Sequence, residues 1–209
     1  MAYRPTEKTL ARKAEIRQRL LNAALSLVSG GGFAALTVVA VAAQAGIATG
    51  AVYKHFASKD QLCSEVFRLA TEKEVAWVRE TALRGDGSPS ERLLRAIEAF
   101  ALRALRNPRL AFALIAEPVD VQVDAQRLRY RLAYANVFEQ LVEQGIQSGE
   151  FAPQFPSVSA AALVGVIAES LVGPLSWPAE DQPPMETESL IAAIQAFCLR
   201  AVKAPKLSF

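Results

Sequence analysis

A chain of 209 residues, 52% hydrophobic and 21% charged, has enough apolar surface for one large core or two smaller ones and is neither disordered nor fibrous. Its two cysteines, Cys63 and Cys198, and its one histidine, His55, fit no zinc or disulfide spacing, so neither a metal nor a cofactor is expected. The net charge of +2 hides an asymmetry. Residues 1–60 hold eight Lys or Arg (Arg4, Lys8, Arg12, Lys13, Arg17, Arg19, Lys54 and Lys59) against Glu7, Glu15 and Asp60, so the rest of the chain is acidic overall. A basic first segment suits a polyanion, nucleic acid foremost, although a solvated basic tail gives the same count.

Apolar residues recur at three and four throughout and strand-like alternation is missing, which predicts an all-α fold of about nine helices. The first spans residues 10–29, with Ile16, Leu20, Ala23, Ala24, Leu27 and Val28 as its inward stripe, and stops at Gly30-Gly31-Gly32. Thr37 is placed to N-cap a short second helix over 38–44, with Gly46 at its C-terminal turn. A third opens at Ala48 or Thr49 and ends near Phe56. Ser58 caps a long fourth helix over 59–83, whose Asp60 suits the positive end of the helix dipole. Turn residues over 85–90 make the clearest break.

Distal helices follow over 90–106, 109–116, 124–148, 157–172 and 186–202, punctuated by Pro108, Pro118, Pro153, Pro156 and Gly173-Pro174. On the seventh, Leu128, Leu132, Ala135, Phe138 and Val142 share one face. The loop 177–185 is rich in proline and acid. The eighth is apolar nearly all round and the ninth has a wide apolar face, which predicts a homodimer through helices near 157–173 and 186–202, with Val164 at the interface; burial inside one subunit is the alternative. The apolar stretch 158–172 is interrupted by Ser159, Glu169 and Ser170 and falls short of the roughly 20 residues of a membrane span. The N-terminus has no secretory h-region. A cytoplasmic protein with no membrane partner is expected.

The segment 38–53 places small Ala42 where two short helices cross and Gly46 where the turn is sharpest, with Ile47 and Val52 as plugs. Such a unit holds its second helix proud of the surface for a DNA major groove. With Phe33-x-x-Leu36-Thr37 before it and Thr49-Gly50-Ala51-Val52-Tyr53-Lys54-His55-Phe56-x-x-Lys59-x-x-Leu62 after it, residues 16–67 resemble the DNA-binding domain of TetR-type repressors. The resemblance implies an N-terminal arm and three-helix helix-turn-helix domain over 1–57. A linking helix with a C-terminal ligand-binding and dimerisation domain would occupy 58–209. By the same resemblance Thr37, Tyr53, His55 and Lys59 touch phosphates, while Thr49, Gly50, Ala51 and Lys54 line the face nearest the bases. Hydroxyls and ammonium groups are suitable phosphate donors, whereas glycine and alanine offer few base-specific hydrogen bonds, so sequence reading rests on Lys54, Thr49, methyl contacts and DNA shape. Phe56 reads as core, and Tyr53 and His55 also have core readings.

Phe100, Phe112, Leu114, Tyr130, Tyr134 and Phe138 are candidate lining for a pocket, with Glu169 as a possible charged anchor; the same residues could be plain core and Glu169 a solvated side chain. No Ser-His-Asp order, HExxH, Walker loop or dinucleotide glycine pattern occurs, so an enzyme is not expected. The expected function is repression at a palindromic DNA operator, relieved by a small, largely apolar effector. Regulation by a protein partner, constitutive binding and a helical enzyme are the alternatives.

Overall fold

The computed structural model describes residues 6–84, 86–176 and 186–203, and among these every regular element is a helix. Arg4 of the basic arm, Gly85 of the predicted break and the 177–185 loop lie outside the described residues. The helices are α1 (Glu7–Gly31), α2 (Val38–Ala45), α3 (Thr49–Val52), α4 (Lys59–Arg79), α5 (Pro89–Arg106), α6 (Pro108–Ile115), α7 (Val121–Gln147), α8 (Pro156–Leu175) and α9 (Thr187–Lys203).

Capping side chains explain where these helices start. Thr6 accepts from the Thr9 amide and begins α1 at Glu7, three residues ahead of the expected start at residue 10. Ser58 accepts from Gln61 at 3.1 Å. Ser88 and Glu91 form a reciprocal capping box on α5. Asp120 accepts from Gln122 and Val123, both at 3.0 Å, and so α7 starts at Val121 rather than 124.

Two expected boundaries are corrected. Gly173-Pro174 does not close α8, which continues to Leu175. Proline loses only one hydrogen bond so close to the end, and burial of Leu171 and Leu175 holds the last turn in place. The fourth helix does not run evenly to 83: α4 ends at Arg79 and widens into a π turn, Glu80–Arg84. Buried Arg92 donates to the carbonyls of Ala82 (3.1 Å) and Leu83 (3.3 Å) in that turn.

Apolar burial divides into two cores. The first joins α1, α2, α3 and the first half of α4 through Leu20, Ala24, Leu36, Val41, Val52, Phe56, Leu62 and Val66, and it takes Ala113 and Val123 from the α6–α7 region. The second joins the end of α4 with α5, α7, α8 and α9. On α7, Phe138 and Val142 are buried as the periodicity predicts, but Leu128 and Leu132 on the same stripe are each 60% exposed. With 20 residues α8 is long and apolar enough to cross a bilayer by length and composition alone. It instead buries Ala160, Leu163, Ile167, Leu171 and Leu175 within the distal core, between helices too polar to accompany it into lipid.

Candidate nucleic-acid interface and internal cavity

The helix-turn-helix is built by three local devices. Thr37 lies in extended backbone and its hydroxyl accepts from the Ala40 amide at 3.1 Å, starting α2. Gly46 ends it in the left-handed region, at φ 62° and ψ 41°, where only glycine is unstrained. Its turn is closed by the Ile47 amide on the Ala42 carbonyl at 2.9 Å, while the Arg19 guanidinium donates to the Ala45 carbonyl from α1. The regular part of α3 is one turn, prolonged by bonds from Lys54 to Ala51, His55 to Val52 and Phe56 to Val52.

Burial then sorts the α3 residues. Val52 and Phe56 are fully buried, whereas Thr49, Gly50, Tyr53 and Lys54 are exposed and Ala51 is half-buried. Thr37 and Lys59, at the entrances to α2 and α4, are also exposed. These exposed side chains sit on α3 or at the starts of α2 and α4, so their hydroxyl and ammonium donors are open to solvent.

His55 is more enclosed. Its Nδ1 is buried without a hydrogen-bond partner among the described residues, and its pKa is held below the ordinary histidine value, first by burial and then by Lys13, Arg17 and Lys54. Beside it Arg17 lies over the Phe56 ring, 4.8 Å from the centroid, and pairs with Glu65 at 3.0 Å.

A second candidate site is a cavity of about 140 Å³ between α4, α5, α6, α7 and α8. Of the residues proposed from the sequence, Phe100, Leu114, Tyr130, Tyr134 and Phe138 line it. Phe112 and Glu169 do not: Phe112 packs against the distal core and Glu169 is exposed on the outer face of α8. Val164, an expected interface position, forms part of the cavity wall.

Sequence reading missed Phe67, Thr71 and Glu74 on α4 and Arg103, Arg127 and Arg131 on α5 and α7, all of which line the cavity. Only the packing of α4 across α7 brings them there, and no local spacing signals it. The walls are aromatic and interlocked, with Phe100 edge-on to Tyr134 (5.4 Å between centroids) and Tyr130 tilted on Phe67 (5.7 Å). Polar groups are few. Arg103 pairs with Glu74, and Arg127 is spent on the carbonyls of Ala113, Leu114 and Glu117. The Tyr134 hydroxyl makes no hydrogen bond among the described residues, and burial and Glu74 push its pKa up, so it remains a protonated donor.

A helix-turn-helix with an exposed one-turn recognition helix, carried on a helical domain with an apolar cavity, defines a DNA-binding regulator. Two family models match this chain: "Bacterial regulatory proteins, tetR family" over residues 20–66 and "Tetracyclin repressor-like, C-terminal domain" over residues 86–171. Together they cover more than half of it, and the chain belongs to the TetR family.

Among relatives, it is 35% identical over 100 residues to the HTH-type transcriptional repressor KstR of Mycolicibacterium smegmatis. That match spans 48% of each chain, about half the length of the curated relative. Its fold is similar to that of the transcriptional regulator FadR from Bacillus subtilis in complex with stearoyl-CoA, with a TM-score of 0.72 at 20% identity, covering 90% of this chain and 99% of that one. It is also similar in fold to RolR in complex with resorcinol, with a TM-score of 0.66 at 16% identity, covering 93% and 91%.

Proposed function

We propose that this protein is a cytoplasmic homodimeric repressor that binds a palindromic operator through α3 and leaves it when a largely apolar small molecule fills the cavity. The observation that carries the DNA reading is the division of α3: Val52 and Phe56 are sealed in the core while Thr49, Gly50, Tyr53 and Lys54 stand clear of it. Homodimerisation is supported by the outer faces of α8 and α9, where Val158, Ala161, Ala162, Gly165, Ala193 and Phe197 are exposed on helices whose other faces are buried. Small residues there let two copies of the pair approach closely.

For the effector, the aromatic walls favour an apolar body, and the Tyr134 hydroxyl is free to bond one polar group on it. The stearoyl-CoA of FadR and the resorcinol of RolR are both molecules with a hydrophobic part, in proteins of the same fold. At about 140 Å³ the cavity is smaller than the ~300–1,000 Å³ of drug-sized ligand sites. A ligand of that size therefore has to move a wall, which is how binding energy reaches the DNA-binding helices.

Selection of bound duplexes from a random pool, followed by titration over a salt series, tests the reading. A two-fold symmetric site is expected, and with about three phosphates neutralised per subunit the log-log slope should be roughly −5. Equal affinity for selected and scrambled duplexes overturns the DNA reading. Calorimetry against apolar and polar compounds, with and without operator, tests the effector. Binding by strongly polar compounds alone, or an apolar binder that leaves operator affinity unchanged, overturns that part.

A further inference from the structure

Between the cavity and the DNA-binding helices lies a carboxylate with a specific geometry. Glu117, in the connection from α6 to α7, is only 8% exposed, and its side chain turns back to the first domain. One oxygen accepts from the Phe33 amide at 2.9 Å and the other from the Ala34 amide at 3.3 Å, the opening donors of the 3₁₀ turn Phe33–Ala35 that leads into α2. Gly32 makes room: at φ +74°, a Cβ there would stand 2.5 Å from the nearer carboxylate oxygen.

The same segment is tied down on either side. Arg109, near the start of α6, donates to the Gly31 carbonyl at 3.0 Å, and Arg127 donates to the Glu117 carbonyl at 2.7 Å. Between these ties, Leu110, Leu114 and Ile115 of α6 form a wall of the cavity. A second route reaches the same point, because Phe67 lines the cavity and stacks on Phe33 at 6.1 Å. Both routes converge on Phe33, four residues before the Thr37 cap of α2. With eight residues, α6 is the shortest helix lining the cavity.

We propose that Glu117 is a positioning residue that sets the pose of the DNA-binding domain by fixing the Phe33–Ala34 turn to the end of α6. Displacement of α6 by a molecule in the cavity then reorients α2 and α3 through two hydrogen bonds. This proposal rests on the DNA-binding reading, so its test has one arm with DNA and one without.

In the arm without DNA, spin labels are placed on V39C and E143C, both exposed positions. Cys63 and Cys198 are buried and their thiols are pushed up to about 11, so labelling favours the introduced sites. Labelled chains are mixed with a large excess of unlabelled protein to isolate the distance within one chain. The wild-type background should give one narrow distribution, E117A a broadened or split one, and E117Q, which keeps one acceptor oxygen, an intermediate one.

In the arm with DNA, E117A should bind the selected operator about tenfold more weakly per folded dimer, equivalent to roughly 1.4 kcal/mol, with E117Q again between. A purely structural role lowers the unfolding midpoint but leaves the distance distribution and the affinity per folded dimer at wild-type values, and that result overturns the proposal. If E117A does not fold, E117Q decides by the same two readouts. Failure of the wild-type protein to bind any selected duplex rejects the DNA-binding reading, while the distance distributions still judge the role of Glu117.

Discussion

The two halves of the molecule use their apolar residues differently. In the N-terminal half, Val41, Ala42, Val52 and Phe56 are all buried, and what remains outside on α3 is Thr49, Gly50, Tyr53 and Lys54. In the distal half, α8 and α9 each bury one apolar face and leave Val158 and Phe197 uncovered on another, while the apolar stripe of α7 is buried at Phe138 and Val142 but exposed at Leu128 and Leu132. The first half seals its core within a single chain, although Leu10 and Val39 remain exposed outside it. The second leaves apolar faces exposed in the single chain, and it also holds a cavity that a close-packed core would fill. The first arrangement suits the proposed contact with a fixed polyanion; the second suits the proposed dimerisation and capture of a small molecule.

This contrast is broken most strongly at the outer face of α8. Nothing lies within 4 Å of a Cβ built on Gly165, so Gly165→Arg should leave the single chain folded while placing unpaired charges in a two-fold apolar interface. A loss of about 3–5 kcal/mol is expected, seen as monomers in sedimentation with loss of operator binding. A variant that remains dimeric at micromolar concentration removes this face from the interface.

Within the N-terminal half, Phe56→Ala should lower unfolding stability by about 3–5 kcal/mol, whereas Tyr53→Ala should change it by no more than about 0.5 kcal/mol while weakening every DNA site. Chemical denaturation beside DNA titration separates the two, and equal stability losses would contradict the division of α3 into a core face and a contact face. Lys54→Ala should cost about 1–3 kcal/mol per half-site at the selected operator and relax base preference, whereas Lys59→Ala, which removes one phosphate contact from each subunit, should reduce the magnitude of the salt slope by about two and leave preference intact.

In the distal half, Tyr134→Phe should be close to neutral for stability because its hydroxyl makes no hydrogen bond among the described residues. It should weaken an effector that uses the hydroxyl by about 0.5–1.5 kcal/mol, measured by calorimetry.

The smallest effect is that of pH on His55. Its folded pKa lies below the ordinary 6.5, so the unfolded chain takes up a proton first as pH falls. Its contribution to stability is therefore retained above about 6.5 and declines as pH drops toward the folded pKa. Operator phosphates favour the charged imidazole, so DNA affinity should change in the opposite sense and tighten over that window. His55→Gln should flatten both trends; profiles identical to wild type would show that His55 does not contribute to either.

The sequence by itself determined the helical class, the helix-turn-helix and the family, because those depend on signals only a few residues long: Thr37 before an apolar run, Gly46 after one, and the spacing from Thr49 through Lys59. It offered Phe100, Leu114, Tyr130, Tyr134 and Phe138 as candidate pocket lining with plain core as the alternative, and these five line the cavity. Tertiary structure decided the rest. Which inward residues meet at a void depends on how α4, α5, α6, α7 and α8 pack together, which put Phe67, Glu74 and Arg103 into the wall, moved Val164 there from an expected interface, and left Phe112 and Glu169 outside. The exposure of Leu128 and Leu132 is a matter of neighbours rather than of pattern. Glu117 is the clearest case: in the sequence it is one acid before Pro118, and its two partners are more than eighty residues away. Periodicity records which side of a helix avoids water, but the identity of the group that meets that side is set only when distant segments pack together.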